Sequence, residues 1–484
     1  MNIYFAALLV YSALLIVIGL VAARKVRSAS DFLVAGRRFG PGIIFATFLA
    51  ANIGAGSTVG ASGLGYHFGL SAWWWVGSAS IGTFVLSQTV GPKLWRIAKL
   101  HELHTLGDYL EHRYNKAVKA IIAMILWAGT LAILAGQLMA ISWILNVVIG
   151  LPKWKGCLAG GIVAITYCSA GGLASSAVVN VLELIVTMTG LLLSIPFALH
   201  GLGGWSAMVA GLSQGLGGAH SATALQLTGV GAKQILSYIF ILVPSFIVSP
   251  GLAQKLYSAR DAAAVRWGVG LNSLAQACFA VAPALFGMCA FARYPHLQNP
   301  ELALPTVMMY MVPKWLGLWA LASIFSAELS ATDAILFMLS TSLAVDLYKT
   351  FLNPTVSQKK LLAVSRWTAI LAGIAGVLLA IALPSVISAV TIFYGLLAVA
   401  LFVPVILGLY WRRMSTTAAI VGIFAAGGAA LLTSHWTAGQ GVWLLSPPAI
   451  GIVVAFVTAT LLSWYFPNRT NAPGAVAGAP KAKP

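Results

Sequence analysis

The chain has 484 residues, of which 60% are hydrophobic and only 8% are charged. A water-soluble domain of this size needs more charged surface, so the composition excludes a soluble protein and predicts an all-α polytopic membrane protein. The net charge of +18 would suggest nucleic-acid binding in a soluble protein, but the basic residues follow a membrane topology and exclude that partner. Four cysteines in apolar stretches predict no disulfide and no resident metal: Cys157, Cys168, Cys278 and Cys289.

Thirteen apolar stretches are candidates for crossing a hydrocarbon core of roughly 30 Å, which takes about 20 helical residues. Their approximate spans are 3–23, 41–66, 70–92, 118–149, 157–170, 175–200, 233–252, 265–291, 315–345, 364–383, 387–410, 416–434 and 446–465. The fifth span is short, and we include it because the Gly171-Gly172 pair and the alternation of sides require a crossing there. The first span has no basic residue before its apolar run, which favours a retained helix over a signal peptide.

The basic residues indicate the orientation of the chain, because cytoplasmic loops of membrane proteins carry the excess of Lys and Arg. With the N-terminus outside, 23 of the 28 basic residues, Lys255 among them, fall in cytoplasmic segments. The other five lie on the outer side: Lys153, Lys155, Lys233, Arg293 and Lys314. This asymmetry predicts an external N-terminus and a cytoplasmic C-terminus in a cell membrane such as the bacterial inner membrane. We expect a monomer in the lipid bilayer, with a disordered tail over 468–484.

Two predicted spans contain helix-breaking residues at mid-depth, which a membrane tolerates only where the freed backbone groups are buried or line a cavity. Gly54 and Gly56 interrupt the second span, and Pro244 and Pro250 interrupt the seventh. The interruptions lie five spans apart and therefore cross in opposite directions, as an inverted repeat of five plus five helices requires. The predicted organisation is an N-terminal helix and loop (1–40), a first repeat (41–200), an external loop (201–232), a second repeat (233–410), two C-terminal helices (411–467) and the tail.

Several short motifs follow one another along this topology. They are Asp31 to Arg38, Ala50 to Ile53, Thr105 to Leu110 with Arg113-Tyr114, Ser169 to Leu173, Gln254-Lys255 with Ala259-Arg260, Ala327 to Ser330, and Asp346 to Lys349. Together they resemble the sodium/solute symporter family over roughly residues 1–415. The resemblance implies a LeuT-like fold with one extra helix before the ten-helix core and two helices after it.

The resemblance also implies a cation site between the broken second helix and the ninth helix. The implied ligands are carbonyl oxygens at Ala50, Ile53 and Ala327 and hydroxyls at the positions of Ser330 and Ala331. An unwound helix suits this role because its carbonyls are free of helical hydrogen bonds and hard cations prefer oxygen ligands. Ala331 departs from the family pattern because it has no hydroxyl, so one ligand is missing unless water or Thr332 replaces it.

A second departure concerns the acidic residues. Members of the family carry Asp at the position of Asn180 and Ser at the position of Asp333, so the carboxylate and the neutral group have changed places here. Asp333 shares a helix face with Ser330, three residues earlier, and we add it to the cation site. With Asn180, the two further acids inside spans, Glu183 and Glu328, form a possible second cation or proton site, because intramembrane acids often mark ion paths.

Solute contacts are expected along the second, third, fourth, seventh and eleventh spans. By position the candidates are Gly56, Ser57, Trp74, Gln137, Ser245 and Tyr394. No Lys or Arg is predicted inside a span, which disfavours a multiply charged anion. The expected solute is a small neutral, zwitterionic or monoanionic organic molecule, since the positive ends of half-helices can hold one carboxylate.

The resemblance implies a secondary active transporter that couples a cation, Na⁺, to symport of a small organic solute by alternating access. No enzyme activity, catalytic residue or cofactor is expected. Proton coupling through Asp333 and Glu183 is the alternative within transport, and a non-transporting membrane sensor is the alternative from another class. An integral membrane enzyme is disfavoured because none of the eight histidines lies in the middle of a span.

Overall fold

The computed structural model describes residues 2–23, 37–168, 173–214 and 223–466. These residues form helices joined by short connections, and the described ranges contain no β-strand. The helices are, in chain order, α1 Ile3–Ala23, α2 Pro41–Asn52, α3 Val59–Phe68, α4 Trp73–Val85, α5 Gly91–Leu100, α6 Leu106–Arg113, α7 Lys116–Ile149, α8 Lys153–Cys168, α9 Leu173–Leu202, α10 Trp205–Gln214, α11 Ala232–Val248, α12 Pro250–Tyr257, α13 Ala262–Phe279, α14 Val281–Arg293, α15 Ala303–Tyr310, α16 Lys314–Thr341, α17 Gln358–Ala382, α18 Val386–Tyr410, α19 Thr416–Trp436 and α20 Pro447–Tyr465. Helices α4 and α16 continue as π-helical turns over Leu86–Val90 and Ser342–Leu352.

Each predicted span coincides with one helix or with two consecutive helices. In the part of the chain that the structure describes, nine helical segments are long and apolar enough to cross a membrane, and α1 and α2 contain shorter apolar stretches. The all-α polytopic fold is therefore confirmed, while the count of thirteen crossings stays a prediction. Segment 201–232 is not only a loop, because it contains α10. The Gly171-Gly172 break and the tail lie outside the described residues.

The helix breaks expected in the second and seventh spans lie at the ends of α2 and α11. The first is where it was predicted, since α2 ends at Asn52 and α3 begins at Val59. The second is limited to Ser249, with φ −58° and ψ 124°, and Pro244 lies inside α11, contrary to the prediction. A proline inside a helix removes one hydrogen bond without necessarily ending the helix. Pro250 starts α12 at a position where the missing N–H has no helical acceptor to lose.

The helices around the breaks pack into two groups. The first group, called the bundle, contains α2, α3, α4, α11, α12, α13 and α14, with α2 packed on α13, α3 on α14 and α4 on α11. The second group, called the scaffold, contains α7, α8, α16 and α17, which pack on one another. Both broken helices thus belong to the bundle. The N-terminal helix α1 packs outside both groups on α9 and α16, where the Tyr11 hydroxyl lies 2.6 Å from Ser326 Oγ.

Candidate functional site

The segment between α2 and α3 releases two backbone carbonyls that a continuous helix would have paired. Gly54 N–H, the helical donor for the Ala50 carbonyl, donates instead to Ser57 Oγ at 3.0 Å. Ser57 N–H, the helical donor for the Ile53 carbonyl, donates to the Gly54 carbonyl at 2.9 Å. Ala50 and Ile53 are buried. Two carbonyl oxygens of the predicted cation site are therefore free of their helical donors inside the protein.

Helix α16 of the scaffold packs directly against this break. A Cβ atom added at Gly54 would lie 2.6 Å from the Cβ of Ala331. The Thr58 hydroxyl, at the start of α3, lies 2.6 Å from Glu328 Oε1 on α16. The five residues of the predicted cation site lie on these two elements and are all buried: Ala50, Ile53, Ala327, Ser330 and Asp333.

The acidic residues Glu183, Glu328 and Asp333 divide between two places around α16. Glu328 is fully buried and faces Thr58, away from the face of Ser330. Asp333 interacts electrostatically with Glu183 of α9, which is buried and close to Ser330. Asp333 and Glu183 thus form one acidic group beside the predicted cation site, and Glu328 is separate from it. Asn180 belongs to α9, but its side chain lies outside the described part of the structure.

A cavity lies between the two helix breaks, and its free space, which includes the solvent that it opens onto, is about 820 Å³. The break residues Gly54 and Ser57 line it on one side, and Ser249 and Gly251 line it on the other. Ala331 of the scaffold also borders the cavity. The cavity is thus adjacent to the predicted cation site.

Four of the six predicted solute contacts line this cavity: Gly56, Ser57, Gln137 and Tyr394. Ser245 does not line it. Its hydroxyl lies 2.5 Å from the Ile241 carbonyl and 2.6 Å from the Tyr394 carbonyl, so the side chain is used between α11 and α18. Gln137 Oε1 accepts a hydrogen bond from Ala55 N–H at 2.8 Å. Gln137 therefore also holds the first break in place.

The structure brings Trp75, and not the predicted Trp74, to the cavity. Trp74 does not line the cavity, and its indole N–H donates to the Leu227 carbonyl at 2.9 Å near the surface. Trp75 lines it instead, and its indole N–H donates to the Gly56 carbonyl at 2.9 Å. Ala79, one helical turn after Trp75, also lines the cavity. Each of the three adjacent tryptophans is followed four residues later by a small residue, Gly77, Ser78 or Ala79, so this spacing in the sequence does not show which one faces the cavity.

Aromatic rings form one wall of the cavity. Trp75 packs edge-on against Tyr238, with ring centroids 5.3 Å apart. Phe246 and Tyr394 lie 5.2 Å apart, and Phe393 and Tyr394 also 5.2 Å apart. Such a wall favours solutes with an apolar or ring-shaped body.

The charge pattern of the sequence had suggested a cytoplasmic loop for Lys255, but the residue lies in the interior. It is 4% exposed, lines the cavity, and belongs to the apolar segment Ala232–Tyr257 that is long enough to span a membrane. The sequence interpretation ended this span at residue 252 and assigned Lys255 to the cytoplasmic side. The signal in the sequence was the apolar pair Leu252 and Leu256, which continues the helical period on both sides of Lys255.

A cluster of charged side chains lies away from the cavity, where α6 meets the start of α7. Lys119 Nζ lies 2.9 Å from Asp108 Oδ1 and 3.6 Å from Asp346 Oδ1. Burial opposes ionisation of Asp108, but Lys119 and the backbone N–H groups of His104 and Thr105 outweigh it and lower the pKa of this carboxyl. The cluster therefore holds an ionised carboxylate next to a buried lysine.

Glu301 connects α7 to the start of α18, near the C-terminal end of α7. Its Oε2 accepts from the indole N–H of Trp143 at 2.9 Å, and its Oε1 accepts from the backbone N–H of Val386 at 2.6 Å. Val386 begins α18, so Glu301 satisfies a free donor at a helix N-terminus. Burial raises the pKa of Glu301, although these hydrogen bonds act in the opposite direction.

The chain is similar to known transporters over most of its length. The model of the sodium:solute symporter family matches residues 32–426. A sodium/glucose cotransporter from Vibrio parahaemolyticus is 24% identical over 452 residues, which cover 86% of this chain and 82% of the relative. A sodium/pantothenate symporter from Escherichia coli is 28% identical over 440 residues, which cover 86% of this chain and 87% of the relative.

The fold is similar to that of a solved transporter structure. The substrate-bound outward-open state of a Na⁺-coupled sialic acid symporter superposes with a TM-score of 0.81 at 17% identity, over 96% of this chain and 98% of the other. The identity is low, so this likeness speaks to the fold alone. It confirms the LeuT-like fold predicted from the motifs.

Proposed function

We propose, because the chain belongs to the sodium:solute symporter family, that its sodium site lies between the first helix break and α16. The chain is a cation-coupled secondary active transporter that carries a small organic solute by alternating access. The observation that supports the site is the release of the Ala50 and Ile53 carbonyls against α16. Oxygen ligands at an unwound helix are what a hard cation requires.

The position of this site explains how sodium can act on the transport cycle. One side of the site belongs to the bundle and the other side, α16, belongs to the scaffold. A cation that bridges them favours one relative orientation of the two groups and so shifts the conformational equilibrium. Sodium crossing with the membrane potential supplies about 2.3 kcal/mol per charge per 100 mV for moving the solute.

Asp333 is proposed to complete the sodium site. The position of Ala331 supplies no hydroxyl, and Asp333 lies two residues further along the same buried helix. A carboxylate beside the site offsets the missing ligand, because its charge attracts the cation more strongly than a hydroxyl does. The orientation, with the N-terminus outside and the C-terminus in the cytoplasm, and the monomeric state belong to the same proposal.

The test is sodium binding by the purified protein, measured with radioactive ²²Na⁺ in the absence of solute. Asp333→Asn should abolish saturable binding, and Glu183→Gln, the neighbouring acid, should reduce it less. Both variants should be expressed and should elute as folded protein. Saturable sodium binding by Asp333→Asn at wild-type affinity would remove Asp333 from the site.

Uptake into proteoliposomes separates sodium from proton coupling. The first probes are radiolabelled pantothenate, proline and glucose, the solutes named for relatives of this chain. Sodium-driven uptake that survives a protonophore is the expected result. Uptake that is indifferent to sodium and collapses with a protonophore would overturn sodium coupling and favour a proton path through Asp333 and Glu183.

A further inference from the structure

The cavity is bordered by the N-terminus of a helix that no side chain caps. Ser249 precedes α12, and its hydroxyl makes no capping hydrogen bond. The first N–H group of α12 that reaches a helical acceptor is that of Ala253, which donates to the Ser249 carbonyl. The N–H groups of Gly251 and Leu252 precede it and have no acceptor within the helix. Gly251 and Leu252 both line the cavity, so the positive end of the helix dipole borders it.

Lys255 adds a full positive charge to the same helix. It follows Gly251 by one turn, so the two residues share a helix face, and a helical side chain leans back toward the N-terminus. Lys255 is 96% buried and lines the cavity. Among the residues that the structure describes, no carboxylate oxygen lies within 4 Å of its ammonium group. A buried ammonium group of this kind calls for an anion close to it.

The remaining lining is neutral. Among the described lining residues there is no Asp or Glu, and the other polar side chains are amides and hydroxyls, such as Asn52, Gln137 and Gln276. The aromatic wall with Trp75 and Tyr394 supplies an apolar surface. An occupant that fits this lining carries one negative charge at one end and an apolar or ring-shaped body at the other.

We propose that the N–H groups of Gly251 and Leu252 together with the Lys255 ammonium group form a carboxylate subsite, and that the transported solute is a small organic monocarboxylate. This inference rests on the proposed function and names its substrate class. The carboxylate lies at the start of α12, and the body of the solute lies against the aromatic wall. Lys255 is a binding residue for the solute and not a cytoplasmic topology signal.

The charges also link the subsite to the sodium site. Lys255 and Asp333 interact electrostatically although they are more than 4 Å apart, so they partly compensate each other when the transporter is empty. Sodium beside Asp333 removes that compensation and leaves Lys255 unbalanced until a carboxylate binds. Sodium and carboxylate therefore enter as a pair without changing the net charge of the buried site. By linkage each should strengthen binding of the other by the same factor, roughly 5- to 150-fold.

The experiment measures the thermal unfolding midpoint of the purified full chain with matched pairs of solutes. Each pair has an acid and its neutral counterpart: pantothenate and panthenol, nicotinate and nicotinamide, phenylacetate and phenylacetamide. The acids of at least one pair should raise the midpoint in sodium chloride and much less in choline chloride, and the neutral counterparts should not. A bound ligand stabilises the folded state in proportion to its concentration relative to its Kd.

Variants of Lys255 test the subsite itself. Lys255→Met keeps the length of the side chain and should weaken acid binding by roughly 30-fold or more, since a buried charge partner is lost. Lys255→Arg should keep the preference for acids, and Lys360→Met, at an exposed lysine, should behave as wild type. Because the acid and neutral pairs are compared in the wild type, a poorly folded Lys255→Met protein does not prevent the test.

Three results would overturn the subsite. They are neutral counterparts that bind as tightly as the acids, an acid response that survives in Lys255→Met, and a wild-type protein that no acid stabilises. Sodium-dependent stabilisation by a neutral solute would refute the carboxylate subsite and leave symport intact. Absence of saturable ²²Na⁺ binding would instead refute the proposed sodium site, so the two failures are distinguishable.

Discussion

Substitution of Gly54 by alanine tests whether the first helix break packs tightly on α16. The new Cβ would lie 2.6 Å from the Cβ of Ala331 and 2.9 Å from Oε1 of Gln137. Gly54 does not have a positive φ, so alanine is not strained by the backbone conformation and the substitution probes space. Gln137 can move because it is a flexible side chain, but it then loses its hydrogen bond to Ala55 N–H.

The size of the effect follows from these two contacts. Overpacking against Ala331 should cost about 1–3 kcal/mol, and the lost hydrogen bond of Gln137 should cost about 1 kcal/mol. We therefore expect Gly54→Ala to lower the stability by about 2–4 kcal/mol. Gly42→Ala, in the preceding helix α2, is the matched control, because no atom lies within 4 Å of its added Cβ. That control should change the stability by at most about 1 kcal/mol, and in the stabilising direction.

The assay is thermal unfolding of the purified protein in detergent, with and without sodium. Gly54→Ala should unfold at a lower temperature than wild type and should lose the stabilisation by sodium, because the displaced break moves the Ala50 and Ile53 carbonyls. The double variant Gly54→Ala, Ala331→Gly removes the closest contact and should recover a large part of both properties. A single Gly54→Ala variant that unfolds and responds to sodium like wild type would show that the break and α16 are not in tight contact.

Three further tests, each with its own substitutions, examine other parts of the structure by the same unfolding assay. Glu301→Gln should lower the stability of the protein by about 1–3 kcal/mol, because the amide nitrogen must face one of two buried N–H donors. Glu102→Gln, at an exposed glutamate, is the control and should have no effect. Equal stability of the two variants would contradict the helix-capping role of Glu301. The pKa of Asp108 is lower in the folded protein than in the unfolded chain, so its carboxylate stabilises the fold at neutral pH and this contribution is lost as the pH falls through the folded pKa. Asp108→Asn should therefore lower the unfolding midpoint at pH 7, with the difference from wild type shrinking in acid; a difference independent of pH would refute this. Glu328→Gln should keep the wild-type unfolding midpoint and sodium response, because its amide can still form a hydrogen bond with the Thr58 hydroxyl. Thr58→Val leaves the buried carboxyl of Glu328 unpaired and should lower the stability by about 1–3 kcal/mol. A strong loss of the sodium response in Glu328→Gln would make Glu328 part of the ion path.

The sequence by itself determined the class of protein, the positions of the helices and the location of the first helix break. These properties are local, because the bilayer requires each apolar segment to satisfy its own backbone hydrogen bonds. The glycines at 54 and 56 therefore marked a break that the structure shows between Asn52 and Val59. The resemblance carried by the motifs added the family and the two elements of the predicted cation site.

Only the tertiary structure decided which side chains meet. Pro244 and Pro250 give the same signal in a sequence, but packing around α11 keeps the helix intact at the first and leaves the break at Ser249. The contact of Thr58 with Glu328 joins residues 270 positions apart, and no periodicity encodes it. The same holds for Lys255, whose charge indicated a cytoplasmic loop and whose place is the cavity. A charge has the same hydropathy in a loop and in a polar cavity, and only the surrounding helices determine which of the two it occupies.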